Sequence, residues 1–177
     1  MADFPGTKPV FTMQESGGPS IQSVKIDPPI TIGSGTRGSR LMVTPMIGGI
    51  VRSESGTPIP VNGEFVGSGN DYIRMDPDGK HLRLDAHGTI KTDDDAFLYV
   101  HYTGVVNLTP ELNLILSGQS ESTTTPFGDS FIHLTFETGD PKYVTLEQGV
   151  FVAAGHFIYE KGENPIVEYK VSQVCKG

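Results

Sequence analysis

The clearest alternation of apolar and polar positions runs from His81 to Gly104, HLRLDAHGTIKTDDDAFLYVHYTG. Leu82, Leu84, Ala86, Gly88 and Ile90 alternate with Arg83, Asp85, His87, Thr89 and Lys91, the period-2 signature of a strand with one apolar and one polar face. After Asp93-Asp94-Asp95 a second alternation sets Phe97, Tyr99, His101 and Thr103 against Leu98, Val100 and Tyr102. Two strands joined by an acidic turn are therefore expected. Further strands are expected over Ile21–Ile32, broken at Pro28-Pro29, and over Leu41–Arg52, with a bulge at Gly48-Gly49. Short strands Val61–Val66 and Asp71–Met75 flank a turn at Gly67-Ser68-Gly69-Asn70, and Asp76-Pro77-Asp78-Gly79 reads as a β-turn. Phe131–Thr138, Lys142–Gly155 with a kink near Gln148-Gly149, and a closing hairpin of Phe157–Glu160 and Ile166–Val174 complete the strands. One short helix is expected, capped by Thr109, opened by Pro110, apolar at Leu112, Ile115 and Leu116, and ended by Gly118. Residues 1–18, polar and punctuated by Gly and Pro, read as a flexible N-terminal arm ahead of a single domain over 19–177. About nine or ten short strands at this spacing predict an all-β fold. A single antiparallel barrel is favoured over a sandwich, because closure removes exposed edges.

Composition narrows the function. The 177 residues suffice for one domain with a sizeable core. A formal net charge of −8 argues against nucleic acid and anionic membrane as partners, since both need a basic surface. The single cysteine, Cys175, excludes an internal disulfide and a cysteine-based zinc cluster. The first residues lack the basic and apolar regions of a signal peptide, and no apolar run approaches a membrane span, so a cytoplasmic location is expected. The Asn107-Leu108-Thr109 sequon then carries no weight.

Candidate chemistry lies on the polar faces: Asp71, Asp85, His87, Tyr99, His101, His133, Thr135, Glu137 and Tyr143. An ordinary solvent face has no need of two aromatic rings and a histidine, so these faces are expected to look inward onto an apolar hollow. Asp85 and His87, two residues apart, share a face about 6–7 Å apart along the strand, where the carboxylate can orient the imidazole for acid/base work. The alternative is a solvated face carrying Arg83, Asp85, His87 and Lys91. Tyr99 and Tyr143 can donate to a ligand oxygen, or serve equally as core rings. No HxH or HExxH spacing supports a metal, and no Walker or dinucleotide fingerprint is present; the glycine-rich Gly33–Arg40 loop lacks that spacing. No cofactor is therefore expected. A serine hydrolase finds no G-x-S-x-G elbow.

LDAHGTIKTDDDAFLYVHYTG, followed by FETGDPKYVTLEQGVFVAAG, resembles the DUF3237 (UPF0311) family of small β-barrel proteins. In that family a segment of the type L-D-A-R-Y-x-L-x-T-D-D-G-A-x-I-Y-V precedes one of the type F-E-T-x-x-x-x-Y-x-W-L-N-x-x-x-F-V-G. The resemblance implies a calycin-like antiparallel barrel, often paired as a homodimer, and little about chemistry. Asp71, Asp85, Thr92, Glu137 and Tyr143 match the pattern. The departures are His87 and Gly88 for arginine and an aromatic, Phe131 for an arginine, Thr145 for a tryptophan, Glu147 for an asparagine, and Tyr72 for a tryptophan. A lumen that exchanges an arginine for Phe131 suits a hydrophobic or aromatic small molecule.

Three functions fit these residues. The first is a cofactor-independent enzyme that folds an apolar natural-product intermediate in the barrel, for cyclisation, cycloaddition or isomerisation. Asp71, Asp85, His87, Tyr99 and His133 would be its catalytic groups. His101, Phe131, Thr135, Glu137 and Tyr143 would contact the substrate. Small cofactorless barrels of fungal secondary metabolism, including hetero-Diels–Alder pericyclases, are similar in outline. The second function is a barrel that binds its ligand unchanged. The third is a hydrolase or lyase working through Asp85 and His87.

Overall fold

His81 faces Asn107 and Lys91 faces Phe97 across one uninterrupted ladder, so the alternating segment folds as the hairpin its pattern predicts. In the computed structural model, residues 3–15, 29–46 and 48–177 are described. The strands are β1 (Pro5–Glu15), β2 (Ile30–Gly33), β3 (Arg40–Met46), β4 (Ile50–Ser53), β5 (Gly63–Met75), β6 (His81–Thr92) and β7 (Phe97–Asn107). After helix α1 (Pro110–Leu116) come β8 (Thr123–Thr124), β9 (Ser130–Thr138), the one-turn helix α2 (Val144–Glu147), β10 (Phe151–Tyr159) and β11 (Ile166–Lys176). Antiparallel pairing runs β6–β7–β9–β10–β11–β1–β4–β5 and returns to β6, which closes an eight-stranded barrel. β3 pairs with the second half of β5 and carries β2, while β8 adds a short pairing to β10.

The interior follows from the period of 2. On β6 the buried set is Leu82, Leu84, Ala86, Gly88 and Ile90, and the polar set points outward. On β7 the buried set is Leu98, Val100, Tyr102 and Val106, and on β9 it is Ser130, Ile132, Leu134 and Phe136. One end of the barrel is packed solid by edge-on aromatic pairs, Phe11 on Phe136 at 5.8 Å and Phe136 on Phe151 at 5.3 Å. α1 forms as its capping residues predict, with Thr109 accepting from the Leu112 N–H at 3.2 Å. Leu112 and Ile115 are its buried face.

Four expectations need correction. Pro5–Glu15, read as part of a flexible arm over 1–18, is a strand paired with both β11 and β4, because Val10, Phe11 and Met13 bury into the core. Of the rest of that arm, residues 3 and 4 precede the strand and residues 1, 2 and 16–18 lie outside the described residues, as does most of the strand expected over Ile21–Ile32. Leu41–Arg52 is not one strand: β3 and β4 are separate and pair with different halves of β5. Gly67-Ser68-Gly69-Asn70 is a bulge inside the continuous strand β5, not a turn between two strands. Gly67 there has φ +71, and a Cβ on Gly69 would stand 2.6 Å from the His87 carbonyl oxygen, so both positions need glycine. Lys142–Gly155 is split by α2, since Tyr143 and Leu146 bury at a spacing of three where a strand would bury alternate residues.

The acidic turn is a structural latch. The Tyr143 hydroxyl donates to Asp94 Oδ1 at 2.8 Å, the Thr92 hydroxyl donates to the same oxygen at 2.6 Å, and the Lys142 ammonium pairs with Oδ2. The ammonium, helped by the two hydroxyls, holds the Asp94 carboxyl well below the usual carboxylate range. Tyr143, expected as a substrate contact, is thus a buried rivet between this turn and the segment before α2.

Phe11→Ala tests whether β1 belongs to the core. Loss of a fully buried phenylalanine is expected to destabilise the fold by about 3–5 kcal/mol, measured by denaturant unfolding. An unchanged midpoint would mean that β1 is not seated.

Candidate functional site

Opposite the packed end the barrel is hollow, with a cavity of about 570 Å³. That is within the usual size of a small-molecule pocket, roughly 300–1,000 Å³. Its wall is apolar: Met42 and Met46 on β3, Ile73 and Met75 on β5, Leu82 and Leu84 on β6, Val106 on β7, Phe157 on β10 and Val167 on β11. Asn113, Leu116 and Ser117 of α1, Asn164 and Pro165 of the β10–β11 turn, and Arg40 at the start of β3 also border it.

Few polar groups enter this lumen. Asp71 projects into it from β5, directly opposite Thr44 of β3. Asp71 Oδ1 accepts from the Asp85 backbone N–H at 3.0 Å. Burial in this apolar setting pushes the Asp71 carboxyl up to about 7; the hydrogen bond works against the shift and the nearby Asp85 charge adds to it. Thr44 Oγ1 is buried and makes no hydrogen bond within the protein, which leaves it available to a ligand's polar atom. The Tyr102 and Tyr169 rings lie 5.8 Å apart beside them, and the Tyr169 hydroxyl is 3.3 Å from Ser130 Oγ. A neutral carboxylic acid and a hydroxyl at adjacent positions can hold a ligand oxygen, and the acid ionises near neutral pH.

Of the residues expected to face this space, only Asp71 does so. Asp85, His87, Tyr99 and His101 are on the outer surface of β6 and β7, since the aliphatic residues between them take the interior. His133, Thr135 and Glu137 are exposed on the outer face of β9. Phe131 is 59% exposed there, so the step from its presence to a more apolar lumen fails. The outward residues still assemble in part. His87 and His101 stack across the hairpin, Asp85 contacts both, and the Tyr99 hydroxyl lies 2.6 Å from His87 Nδ1.

Thr44, Tyr102 and Tyr169 were missed. Tyr102 sits in the aliphatic set of its strand, and that membership was a readable sign that it points inward. Thr44 had no such sign, because the split of β3 from β4 decides what it faces.

The fold and lumen define a closed β-barrel with a hollow of the size that small-molecule pockets usually have. The family model for DUF3237, described as a protein of unknown function, matches residues 5–174, and the chain belongs to this family. A conserved protein of unknown function from Rhodopseudomonas palustris is similar in structure at a TM-score of 0.73 and 23% identity, over 97% of this chain and 99% of its own. A β-barrel-like protein from Acinetobacter baumannii aligns at a TM-score of 0.68 and 21% identity, over 97% of both chains. A structure described as an enzyme from Penicillium herquei aligns at a TM-score of 0.53 and 17% identity, over 96% of this chain and 94% of its own. No curated protein matches the chain. Among the described residues no helix is long and apolar enough to cross a membrane.

Asp71 makes a pH-dependent prediction. Its carboxyl ionises near 7 when folded and near 3.8 when unfolded, so the folded state holds the proton more tightly. Its contribution to stability is full below about pH 4 and is lost as pH rises through 7, by ~4 kcal/mol at most. Asp71→Asn is expected to match the parent near pH 4 and to exceed it in stability at pH 8, in thermal melts across pH. Equal melting curves for both proteins at pH 8 would contradict the buried, protonated acid.

Proposed function

We propose that the protein is a cofactor-independent enzyme of a largely apolar small molecule carrying a carbonyl or enol, with Asp71 as its acid/base group. The observation that carries this reading is a buried titratable carboxyl in a largely apolar lumen, with its ionisation near 7. A carrier of greasy ligands needs the apolar wall and has no use for an acid there; holding it costs stability above neutral pH. A catalytic acid/base works best when it ionises near the operating pH.

In the reaction the protonated Asp71 donates a hydrogen bond to the substrate carbonyl and polarises it. As it passes that proton to the oxygen, the carboxylate so formed removes a proton from the adjacent carbon; Asp71 exchanges this proton with solvent while the enol is bound, then delivers a proton at a carbon and takes the hydroxyl proton back. The net change is isomerisation, with no redox step. Where the substrate has a tethered acceptor, the enol carbon attacks it, and the overall reaction is a cyclisation. The confining wall favours folded conformers and excludes water, which supports cyclisation over hydrolysis. The Thr44 hydroxyl is suited to hold the same oxygen from the β3 side. Cycloaddition of the hetero-Diels–Alder type would use the wall alone, with Asp71 as hydrogen-bond donor. The Penicillium herquei neighbour lends the reading support only in that a barrel of this outline is described as an enzyme.

The test is proton exchange. Lipophilic enones and 1,3-diketones are incubated with the protein in D₂O, and deuterium uptake at the activated carbon is followed by mass spectrometry. The expected result is exchange whose rate shows an ionisation near pH 7 and falls by about 10²–10⁴-fold in Asp71→Asn, the range for loss of a general acid/base. Filling the lumen with Ile73→Trp is expected to abolish both exchange and ligand retention in native mass spectrometry. Retention of a ligand with no exchange in either the parent or Asp71→Asn would make the barrel a carrier.

A further inference from the structure

A second cluster, separate from the lumen, stands on the outer face of the β6–β7 ladder. His87 and His101 are paired directly across the strands, and their imidazoles stack at 4.4 Å and 12°. Asp85 precedes His87 by two residues on the same face. Its Oδ1 is 2.9 Å from His101 Nε2 and 3.3 Å from His87 Nε2. We propose that Asp85, His87 and His101 form a site for a divalent late transition-metal ion, with Zn²⁺ the ion that its donors and geometry suit.

Donor chemistry is the first argument. Two imidazole nitrogens and one carboxylate suit Zn²⁺, Cu²⁺ or Ni²⁺, whereas Mg²⁺ and Ca²⁺ call for oxygen donors throughout. Geometry is the second. Tetrahedral Zn²⁺ with bonds of about 2.0–2.2 Å separates its donor atoms by about 3.3 Å. The two nitrogen–oxygen separations here are 2.9 and 3.3 Å, and all three donor atoms lie within 4.8 Å of one another. To admit the ion the two imidazoles turn out of their parallel stack until both nitrogen lone pairs converge on it.

Rigidity and orientation support the same site. All three residues come from the middle of two fully paired strands, so little ordering is left to binding. The Tyr99 hydroxyl, 2.6 Å from His87 Nδ1, is the outer partner that a metal-bound imidazole normally has. With the Nδ1 proton donated to Tyr99, the Nε2 lone pair is turned towards the ion. Without the ion, the alternative tautomer lets Nε2–H donate to Asp85. The side chains of Asp85, His87 and His101 are 54%, 40% and 33% exposed, so the ion has access and a fourth position remains open to water.

The second trio of similar make-up, Asp76, Asp78 and His81, differs in a decisive way. Its Asp76 carboxylate is occupied by Arg83, with Nε at 3.1 Å from both oxygens and Nη2 at 2.6 Å. A guanidinium bound in that manner leaves the Asp76 carboxylate unavailable to a cation, and Asp78 Oδ1 accepts from the Lys80 N–H at 3.0 Å.

The experiment uses untagged, chelator-treated full-length protein. ZnCl₂ is titrated calorimetrically, and CoCl₂ is followed by visible absorption. The expected result is one saturable equivalent of Zn²⁺ and the visible d–d bands of tetrahedral Co²⁺, both lost with excess chelator. His87→Gln and His101→Gln are each expected to weaken Zn²⁺ at least tenfold and to remove the Co²⁺ bands, with far-UV circular dichroism unchanged. Tyr99→Phe is expected to keep the bands while weakening Zn²⁺ by about tenfold or more, the effect of losing an outer-shell partner. Absence of saturable binding would overturn the proposal. So would binding that is indifferent to His87→Gln and His101→Gln, which would put the ion elsewhere.

Discussion

The barrel exists because β1 fills the space between β4 and β11. Its pairing with both strands completes the ring, and Phe11 and Met13 fill the packed end behind it. A closed ring leaves each strand only an inner and an outer face. The inner volume is small, so each strand sends its more apolar set inward, and the outward set inherits the charges, imidazoles and several aromatic rings. The two functional candidates follow from that sorting: an apolar lumen with one acid, and an outer face with an orderly pair of histidines.

The hollow end owes its shape to a division of labour between β3 and β4. β4 pairs only with the first residues of β5, and β3 takes over the same edge from Gly69 to Met75. β3 pairs with β2 and β5, so at that level the lumen is completed by α1 and the β10–β11 turn instead of by another full strand. This division puts Thr44 opposite Asp71 and leaves room for a guest. Desolvation dominates at Asp71: a single backbone N–H does not compensate for the lost water, and the carboxyl keeps its proton to near neutrality.

At 21–23% identity the likeness to the bacterial neighbours extends to the fold alone. The latch of Asp94, Thr92 and Tyr143 uses residues that match the pattern, in keeping with its role in holding the barrel end.

Local patterning was enough to read the β6–β7 hairpin, β9, the capped helix α1 and the all-β class, because period 2 and capping chemistry act within a few residues. The antiparallel barrel follows from the same pattern. Register inside the hairpin was also within reach: a ladder centred on Asp93-Asp94-Asp95 pairs His87 with His101, although a search for HxH spacing passes over it. Which face turns inward was not legible from Asp85, His87 and Tyr99 themselves. It depends on competition among all eight strands for one interior, where aliphatic side chains win because burying them is favourable and burying carboxylate and imidazole is not. The strand at Pro5–Glu15, the bulge at Gly67–Asn70 and the buried setting of Thr44 likewise arise from partners on other strands, outside the reach of any local pattern. Only the closed tertiary structure brings those partners together, and it alone made Asp71 a luminal acid.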